Sequence, residues 1–382
     1  MYSVLQVTPE LNAGGVERTT IEMAEAISRA GGLALVASAG GRLEPDLEAA
    51  GGELVRLPVD AKDPITVAAN VGRLARTAKK RRINLIHARS RAPAWSALFA
   101  ARRLKLPFVT TYHGVYNARS PIKRFYNSVM AKGDVVIANS EYTRTHVLEQ
   151  YDIDPKRVVT IPRGVDLDQF DAAKIDPAEI AKLRAEWGLA PGDKRLVVML
   201  PARLTRWKGQ LVLIDAAARV ENSKPGLIKV ILAGDAQGRR GYVTERETAI
   251  ADAALRDSVA VVGHLSQIPA ALAASDIAVF PSIEPEAFGR GAVEAQAMGV
   301  PVIAANHGGL AETVVDGETG LLVAPGDSLS LAAAIEKLAK AGPEARKAMG
   351  LRGRDRARRL YAKTALQAST LQVYDRLLGA MQ

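Results

Sequence analysis

Two glutamates stand eight residues apart in the stretch Pro281-Ser282-Ile283-Glu284-Pro285-Glu286-Ala287-Phe288-Gly289-Arg290-Gly291-Ala292-Val293-Glu294. An apolar run ends at Phe280, a loop carrying Glu286 follows, and glycines then open a helical stretch. Glycine at a helix start lets a ligand approach the backbone, and the unpaired N–H groups there attract phosphate. Ionised carboxylates are strong acceptors for the hydroxyls of a sugar or a ribose. Were both glutamates helical, they would sit about two turns apart on one side. With Glu286 in the loop, both can face one ligand. By spacing alone, a capping glutamate followed by a surface glutamate is the better description.

Cations come next. Pro201-Ala202-Arg203-Leu204-Thr205-Arg206-Trp207-Lys208-Gly209 follows another apolar run. Arg203 and Lys208 put two cations in this loop, where they could meet an anionic group. Taken alone, an Arg/Lys pair in a loop is ordinary solvated charge. In Leu11-Asn12-Ala13-Gly14-Gly15-Val16-Glu17-Arg18 a Gly-Gly turn enters a helix, as a phosphate-cradling loop would. A plain tight turn fits those residues too. Thr110-Thr111-Tyr112-His113-Gly114 places one of only five histidines at the end of an apolar run. Gly234-Asp235 and Gly308-Gly309-Leu310-Ala311-Glu312 complete the set of loops.

These loops need elements to hold them. Short apolar runs at 4–8, 34–38, 54–57, 85–88, 108–112, 135–139 and 158–161 alternate with helical stretches such as 17–30 and 66–82. That alternation predicts βαβ units on a parallel sheet. The pattern breaks at Pro162-Arg163-Gly164-Val165-Asp166, and a polar helical stretch leads to Trp187-Gly188. A second series follows at 195–200, 229–233, 259–262, 277–280, 302–304 and 320–323, and residues from about 343 onward are helical. The reading is α/β: two Rossmann-like, doubly wound domains, the first over 1–168 and the second over 169–359. Ligands bind such sheets at the carboxyl ends of the strands, so the two domains are expected to face a cleft.

Composition narrows the function. The chain has 382 residues, enough for two full cores, and no cysteine, which removes thiolate metal sites and cysteine nucleophiles. The N-terminus reads as a first strand rather than a signal peptide, and no apolar stretch is long enough to span a bilayer. The chain is therefore expected to be cytoplasmic, or peripheral at the inner face of a membrane. Net charge is +10, and no acidic residue stands between Asp63 and Asp134, where fifteen basic residues do. Such a field attracts polyanions. Arg89, Arg91, Lys123 and Arg124, interleaved with Trp95, Phe125 and Tyr126, suit an anionic acceptor or an anionic membrane surface. Nucleic acid is not expected as a partner, since no helix-turn-helix, RNP-like or zinc signature is present. A Rossmann dehydrogenase is disfavoured because the first turn lacks a complete G-x-G-x-x-G.

Glu286 and Glu294 with the flanking Pro281-Ser282 and Phe288-Gly289 resemble the E-x7-E signature of retaining family-4 glycosyltransferases of the GT-B fold. The resemblance runs from Gly14 to about Gly326, with Ala202 standing where the family commonly has glycine. It implies that Arg203 and Lys208 bind the donor pyrophosphate. It further implies that Glu286 orients the sugar and Glu294 the ribose. Gly15, Gly234, Phe288, Gly289 and Arg290 would border the donor, and His113 would contact the transferred sugar. The co-substrate is a nucleotide sugar, GDP- or UDP-linked, with no cofactor or metal. The final helix, 360–382, is implied to cross back to the first domain. Detailed sequence is similar to bacterial lipopolysaccharide-core mannosyltransferases. That points to mannose moved from GDP-mannose to an anionic glycan or glycolipid, the lipopolysaccharide inner core, with UDP-glucose as the other donor.

Overall fold

A computed structural model of the protein describes residues 1–12, 14–116 and 120–380; Ala13 of the glycine loop and Arg119 of the basic window lie outside them. The chain forms two compact units, Met1–Gly164 with Lys363–Gln382, and Val165–Ala362.

In the first unit β1 (Ser3–Val7), β2 (Leu33–Ser38), β3 (Gly52–Arg56), β4 (Leu85–Ala88), β5 (Phe108–Tyr112), β6 (Val135–Ala138) and β7 (Val158–Thr160) form one sheet. Its order is β3-β2-β1-β4-β5-β6-β7, every pair parallel. In the second unit β8 (Leu196–Pro201), β9 (Ile228–Ala233), β10 (Val259–Gly263), β11 (Ile277–Phe280), β12 (Val302–Ala305) and β13 (Gly320–Val323) repeat the pattern as β10-β9-β8-β11-β12-β13. The strands are apolar on both faces because helices cover both, which is why they read as unbroken runs rather than alternations. Each sheet has one core on either side, for example Leu5, Ile86 and Phe108 on one face of the first and Val4, Leu85 and Val109 on the other. In each unit the first strand sits beside the fourth, and there the winding reverses.

The division falls at Gly164/Val165, four residues before 168, because Val165 and Phe170 are buried in the second unit's core. The Val165 N–H also donates to the Tyr361 carbonyl at 2.7 Å, and Val165 bridges Ala362. For the same reason the chain returns at Lys363 rather than at 360. The long helix Ser328–Leu360 bends at Gly342 (φ 82), just before Pro343, which cannot donate to the preceding turn.

The returning helix, Lys363–Gly379, is part of the first unit's core. Leu366, Val373 and Tyr374 are buried there, and Gln367 Nε2 donates to the Glu22 carbonyl at 2.7 Å. Tyr374 Oη lies 2.6 Å from Nδ1 of His87, whose Nε2 lies 2.7 Å from Thr111 Oγ1. His87 is fully buried on β4, and that burial holds its pKa well below the usual imidazole range. The native protein therefore keeps His87 neutral, while the unfolded chain takes up a proton near pH 6.5. Stability is fully present above that value and is lost as pH falls, by up to about 1.4 kcal/mol per pH unit for each such histidine. The midpoint of thermal unfolding should be flat above about pH 7 and should drop below about pH 6.5. His87→Gln should make the drop shallower. A midpoint indifferent to acid would contradict the arrangement.

Candidate functional site

Four loops leave the carboxyl ends of the second unit's strands, and close backbone approaches lock them together. Gly209 (φ 78) stands at the start of the helix Gln210–Ser223, and a Cβ there would lie 2.0 Å from the Pro281 carbonyl oxygen. The Ile283 N–H donates to the Trp207 carbonyl at 2.7 Å, so the loops after β8 and β11 are stitched side by side. After β9, Gly234 runs so near the β8 loop that a Cβ would lie 1.9 Å from the Ala202 carbonyl oxygen. The fourth loop, after β12, joins through the Gly309 N–H, which donates to the Glu286 carbonyl at 2.7 Å.

This framework brings Lys208 to Glu286. Nζ lies 2.8 Å from Oε1, with the two side chains only 15% and 11% exposed. Ser282 Oγ donates to the same oxygen at 2.6 Å, and Lys208 also sits 4.3 Å from the Trp207 ring centroid. Glu294 is held separately, its Oε1 2.8 Å from Arg290 Nε on the helix Arg290–Ala297. Arg203 is exposed, and its side chain makes no hydrogen bond or ion pair among the described residues. Its backbone is held instead. Gln210 Nε2 donates to the Arg203 carbonyl at 3.0 Å, and Tyr242 Oη donates to Gln210 Oε1 at 2.9 Å. The second unit thus carries a fixed lysine–carboxylate pair, a cation open to a ligand, and a helix start at Gly289 (φ 85). Such a set can bind and stabilise a diphosphate.

In the first unit, His113 follows β5 and Gly15 opens the helix Gly15–Arg29. Arg163 reaches both: its Nη2 lies 2.8 Å from His113 Nδ1, and a Cβ on Gly15 would lie 1.6 Å from its Nη1. Burial and the nearby Arg163 and Arg89 charges hold the His113 pKa well below the usual imidazole range. Arg91 and Lys123 line a concavity of about 640 Å³ with Pro9, Asp60, Lys62 and Tyr126. Arg91 also donates to Asn127 Oδ1 at 2.9 Å and lies 4.1 Å from the Tyr116 ring centroid.

The structure refines the reading of three residues. Arg89 is not an acceptor-facing surface cation but a fully buried one, with Nε and Nη2 donating to Gln6 Oε1 at 3.0 and 2.6 Å. Its position one residue after a buried strand turns it inward, and that burial lowers its pKa. Arg124 is an exposed cation as expected but lies outside the lining of the concavity, and it donates to the Gln150 carbonyl at 2.7 Å. The Phe288 ring is turned into the core, buried edge-on against Tyr361 with centroids 5.5 Å apart, which leaves its backbone to face the loop. Sequence reasoning also passed over Arg163, Gln210, Ser282 and His307, whose Nε2 lies 2.8 Å from the Ser282 carbonyl oxygen. A charged residue inside the Pro-Arg-Gly turn after the last strand was the available signal for Arg163. The sequence contains Asp-x-Asp triplets, which can hold a metal ion, at Asp152–Asp154 and Asp166–Asp168. Asp154 and Asp166 accept from backbone N–H groups of their own turns, and Asp168 pairs with Lys174. Among the described residues no three His, Asp or Glu side chains converge as a metal-ligand group.

Residues 13–169 match the sequence pattern described as Glycosyltransferase Family 4, and residues 181–356 that of Glycosyl transferases group 1. A glycosyltransferase from Rickettsia africae is 34% identical in sequence. It superposes over 99% of this chain and 98% of its own, with a TM-score of 0.91. Anabaena HepE, solved in complex with UDP and glucose, is 27% identical over 98% of this chain and 100% of its own, TM-score 0.86. A D-inositol 3-phosphate glycosyltransferase of Segniliparus rotundus is 34% identical over 268 residues, which span 66% of this chain and 57% of that relative. The chain belongs to the family-4 glycosyltransferases and has their GT-B fold of two Rossmann-like units.

The loop framework makes its own prediction. Gly234→Ala would drive a methyl group into the Ala202 carbonyl and displace the backbone that carries Arg203. It should destabilise the protein by about 1–3 kcal/mol in denaturant titration and weaken nucleoside diphosphate binding. Unchanged stability and binding would remove that approach as a constraint.

Proposed function

We propose that this protein transfers a hexose from a nucleotide sugar to an anionic glycan or glycolipid, with retention of anomeric configuration. The observation that carries this is the Lys208–Glu286 pair, its lysine on the same loop as the exposed Arg203 at the strand ends of a family-4 glycosyltransferase unit. Lys208 has three donors, so it can keep its bond to Glu286 and still meet a phosphate. Arg203, Lys208 and the helix start at Gly289 stabilise the departing diphosphate. Glu286 orients the sugar and Glu294 the ribose. The acceptor hydroxyl attacks on the face the diphosphate leaves and passes its proton to a phosphate oxygen. No metal is needed in this scheme, because the two side-chain cations carry the charge. Lys208→Ala should lower kcat by roughly a hundredfold or more, while Glu294→Ala acts mainly on the KM for the donor. A Lys208→Ala enzyme with unchanged kcat would sink this scheme.

The donor is UDP-linked glucose or GDP-linked mannose. HepE was solved with UDP and glucose, which supports the first. The mannosyl and lipopolysaccharide-core reading rests on sequence resemblance alone. A thermal-shift panel of UDP-glucose, UDP-GlcNAc, ADP-glucose, GDP-mannose and the free nucleoside diphosphates separates them, since a ligand bound only by the folded state raises the melting temperature. UDP-glucose should give the largest shift, and Arg203→Ala should abolish it. A shift with GDP-mannose alone would restore the mannosyl reading.

For the acceptor, Lys62, Arg91 and Lys123 around the first unit's concavity outnumber the one carboxylate, Asp60. That balance suits phosphate or carboxylate groups, and the Segniliparus relative is named for a phosphorylated acceptor. Beside the concavity an exposed face presents Ile122 (81% exposed), Phe125 (68%) and Phe99 (51%), the two phenylalanines stacked on Trp95. Exposed apolar side chains, with Lys123 and Arg124 standing between Ile122 and Phe125 in the sequence, suit the headgroup region of an anionic bilayer. Among the described residues no helix is long and apolar enough to cross a membrane. Full-length protein should float with phosphatidylglycerol vesicles and not with phosphatidylcholine vesicles. Ile122→Ser/Phe125→Ser should stay at the bottom of the gradient. Equal flotation of wild type and variant would exclude this face.

A further inference from the structure

We propose that Arg163 is a positioning residue that fixes His113 as a neutral imidazole carrying its proton on Nε2, so that His113 donates a hydrogen bond to the bound sugar. The role assigned to the sugar rests on the glycosyl-transfer reading; the state of the ring does not. Arg163 Nη2 lies 2.8 Å from His113 Nδ1. A guanidinium has donors only, so Nδ1 must accept. An imidazole whose Nδ1 accepts holds its single proton on Nε2. Nε2 is itself buried and has no hydrogen-bond partner among the described residues. A buried donor left unmade is costly, which suits an atom kept for a ligand oxygen.

The surroundings enforce that state. Among the described residues, the groups that bear on His113 are Arg163, the buried Arg89, the neutral His87, and Tyr116, which bonds to the His113 backbone. Two guanidiniums and no carboxylate among them disfavour a second proton on the ring. Arg163 reaches its place because Gly15 has no side chain: a Cβ there would lie 1.6 Å from Nη1 and 2.7 Å from Cζ. The Gly-Gly turn therefore also makes room for the guanidinium, besides opening a helix that could face phosphate. It follows that His113 is not the base that accepts the acceptor's proton. A ring whose Nδ1 is occupied and whose Nε2 is protonated has no lone pair to offer.

The test is a long-range proton–nitrogen spectrum of the full chain labelled with nitrogen-15 histidine, recorded without donor. Only five histidines are present, and His113→Gln assigns the signal. The expected pattern is a pyridine-type Nδ1 and a pyrrole-type Nε2, unchanged between about pH 5.5 and 8. Arg163→Met should move the His113 titration upward into that window and lower the transfer rate about tenfold, the scale of one hydrogen bond. Arg163→Lys, which keeps one donor, should retain the wild-type pattern. If Arg163→Met does not fold, Gly15→Ala displaces the guanidinium while leaving Arg163 in the chain. A proton on Nδ1, or a wild-type His113 that titrates near the value of free imidazole, overturns the proposal whatever the activity. The expected spectrum in a protein that shifts with no nucleotide sugar and transfers none would instead fail the glycosyl-transfer reading.

Discussion

The carbonyl of Pro281 and the backbone of Gly209 pass so closely that no side chain fits between them, and the second unit's chemistry depends on that contact. It fixes the loop after β8 against the loop after β11. Lys208 lies one residue before the glycine, and Glu286 five residues after the proline. Their 2.8 Å ion pair is therefore a consequence of backbone packing and not of two flexible side chains finding each other in solvent. This matters energetically, because an exposed lysine–carboxylate pair loses to side-chain entropy most of what it gains. Here both partners are largely buried, their loops are already ordered, and Ser282 supplies the carboxylate with a second donor.

The two units place charge differently. In the second, Arg203, whose side chain has no partner among the described residues, is exposed on a loop whose carbonyl is tied down through Gln210 and Tyr242. Its backbone is rigid while its side chain remains available. In the first, two cations point inward. Arg89 is enclosed by Gln6 and Thr111, and Arg163 bears on His113. Burying a guanidinium costs far more than exposing one unless every donor is met. Inward cations at the ends of β4 and β7 thus mark a place where the structure gives up stability for a preset electrostatic field.

Most of the architecture was legible because parallel strands covered on both faces are short, β-branched and uninterrupted. All thirteen strands lie within about two residues of the apolar runs that announced them. Glu286, Lys208 and Arg203 were legible too, since polar residues just beyond such runs fall at the carboxyl edge of a sheet. What sequence could not convey was side-chain direction. Arg89 and Arg91 are two residues apart, yet one is enclosed in the core and the other lines an open concavity. Phe288 was placed beside a ligand from its neighbours in the motif, but an aromatic ring next to Gly289 gains more from the buried Tyr361. Arg163 was missed for a different reason. Its charge inside the Pro-Arg-Gly turn could be seen, but its partners, His113 and Gly15, lie 50 and 148 residues away.

The same topology, used twice, explains where these groups collect. In each sheet the first and fourth strands are neighbours, and the connections leaving them run in opposite directions, which opens a crevice at their carboxyl ends. In the second unit those strands are β8 and β11, and the crevice holds Lys208, Glu286 and the helix start at Gly289. In the first unit they are β1 and β4, followed by the Gly15 turn and by Arg89. There the glycine leaves a space that Arg163 fills from the end of β7, so the crevice is occupied by a guanidinium of the chain itself. One fold thus yields a crevice open to an anion and a crevice already holding a cation. The difference comes down to which residues stand at two strand ends, not to any difference in how the sheets are wound.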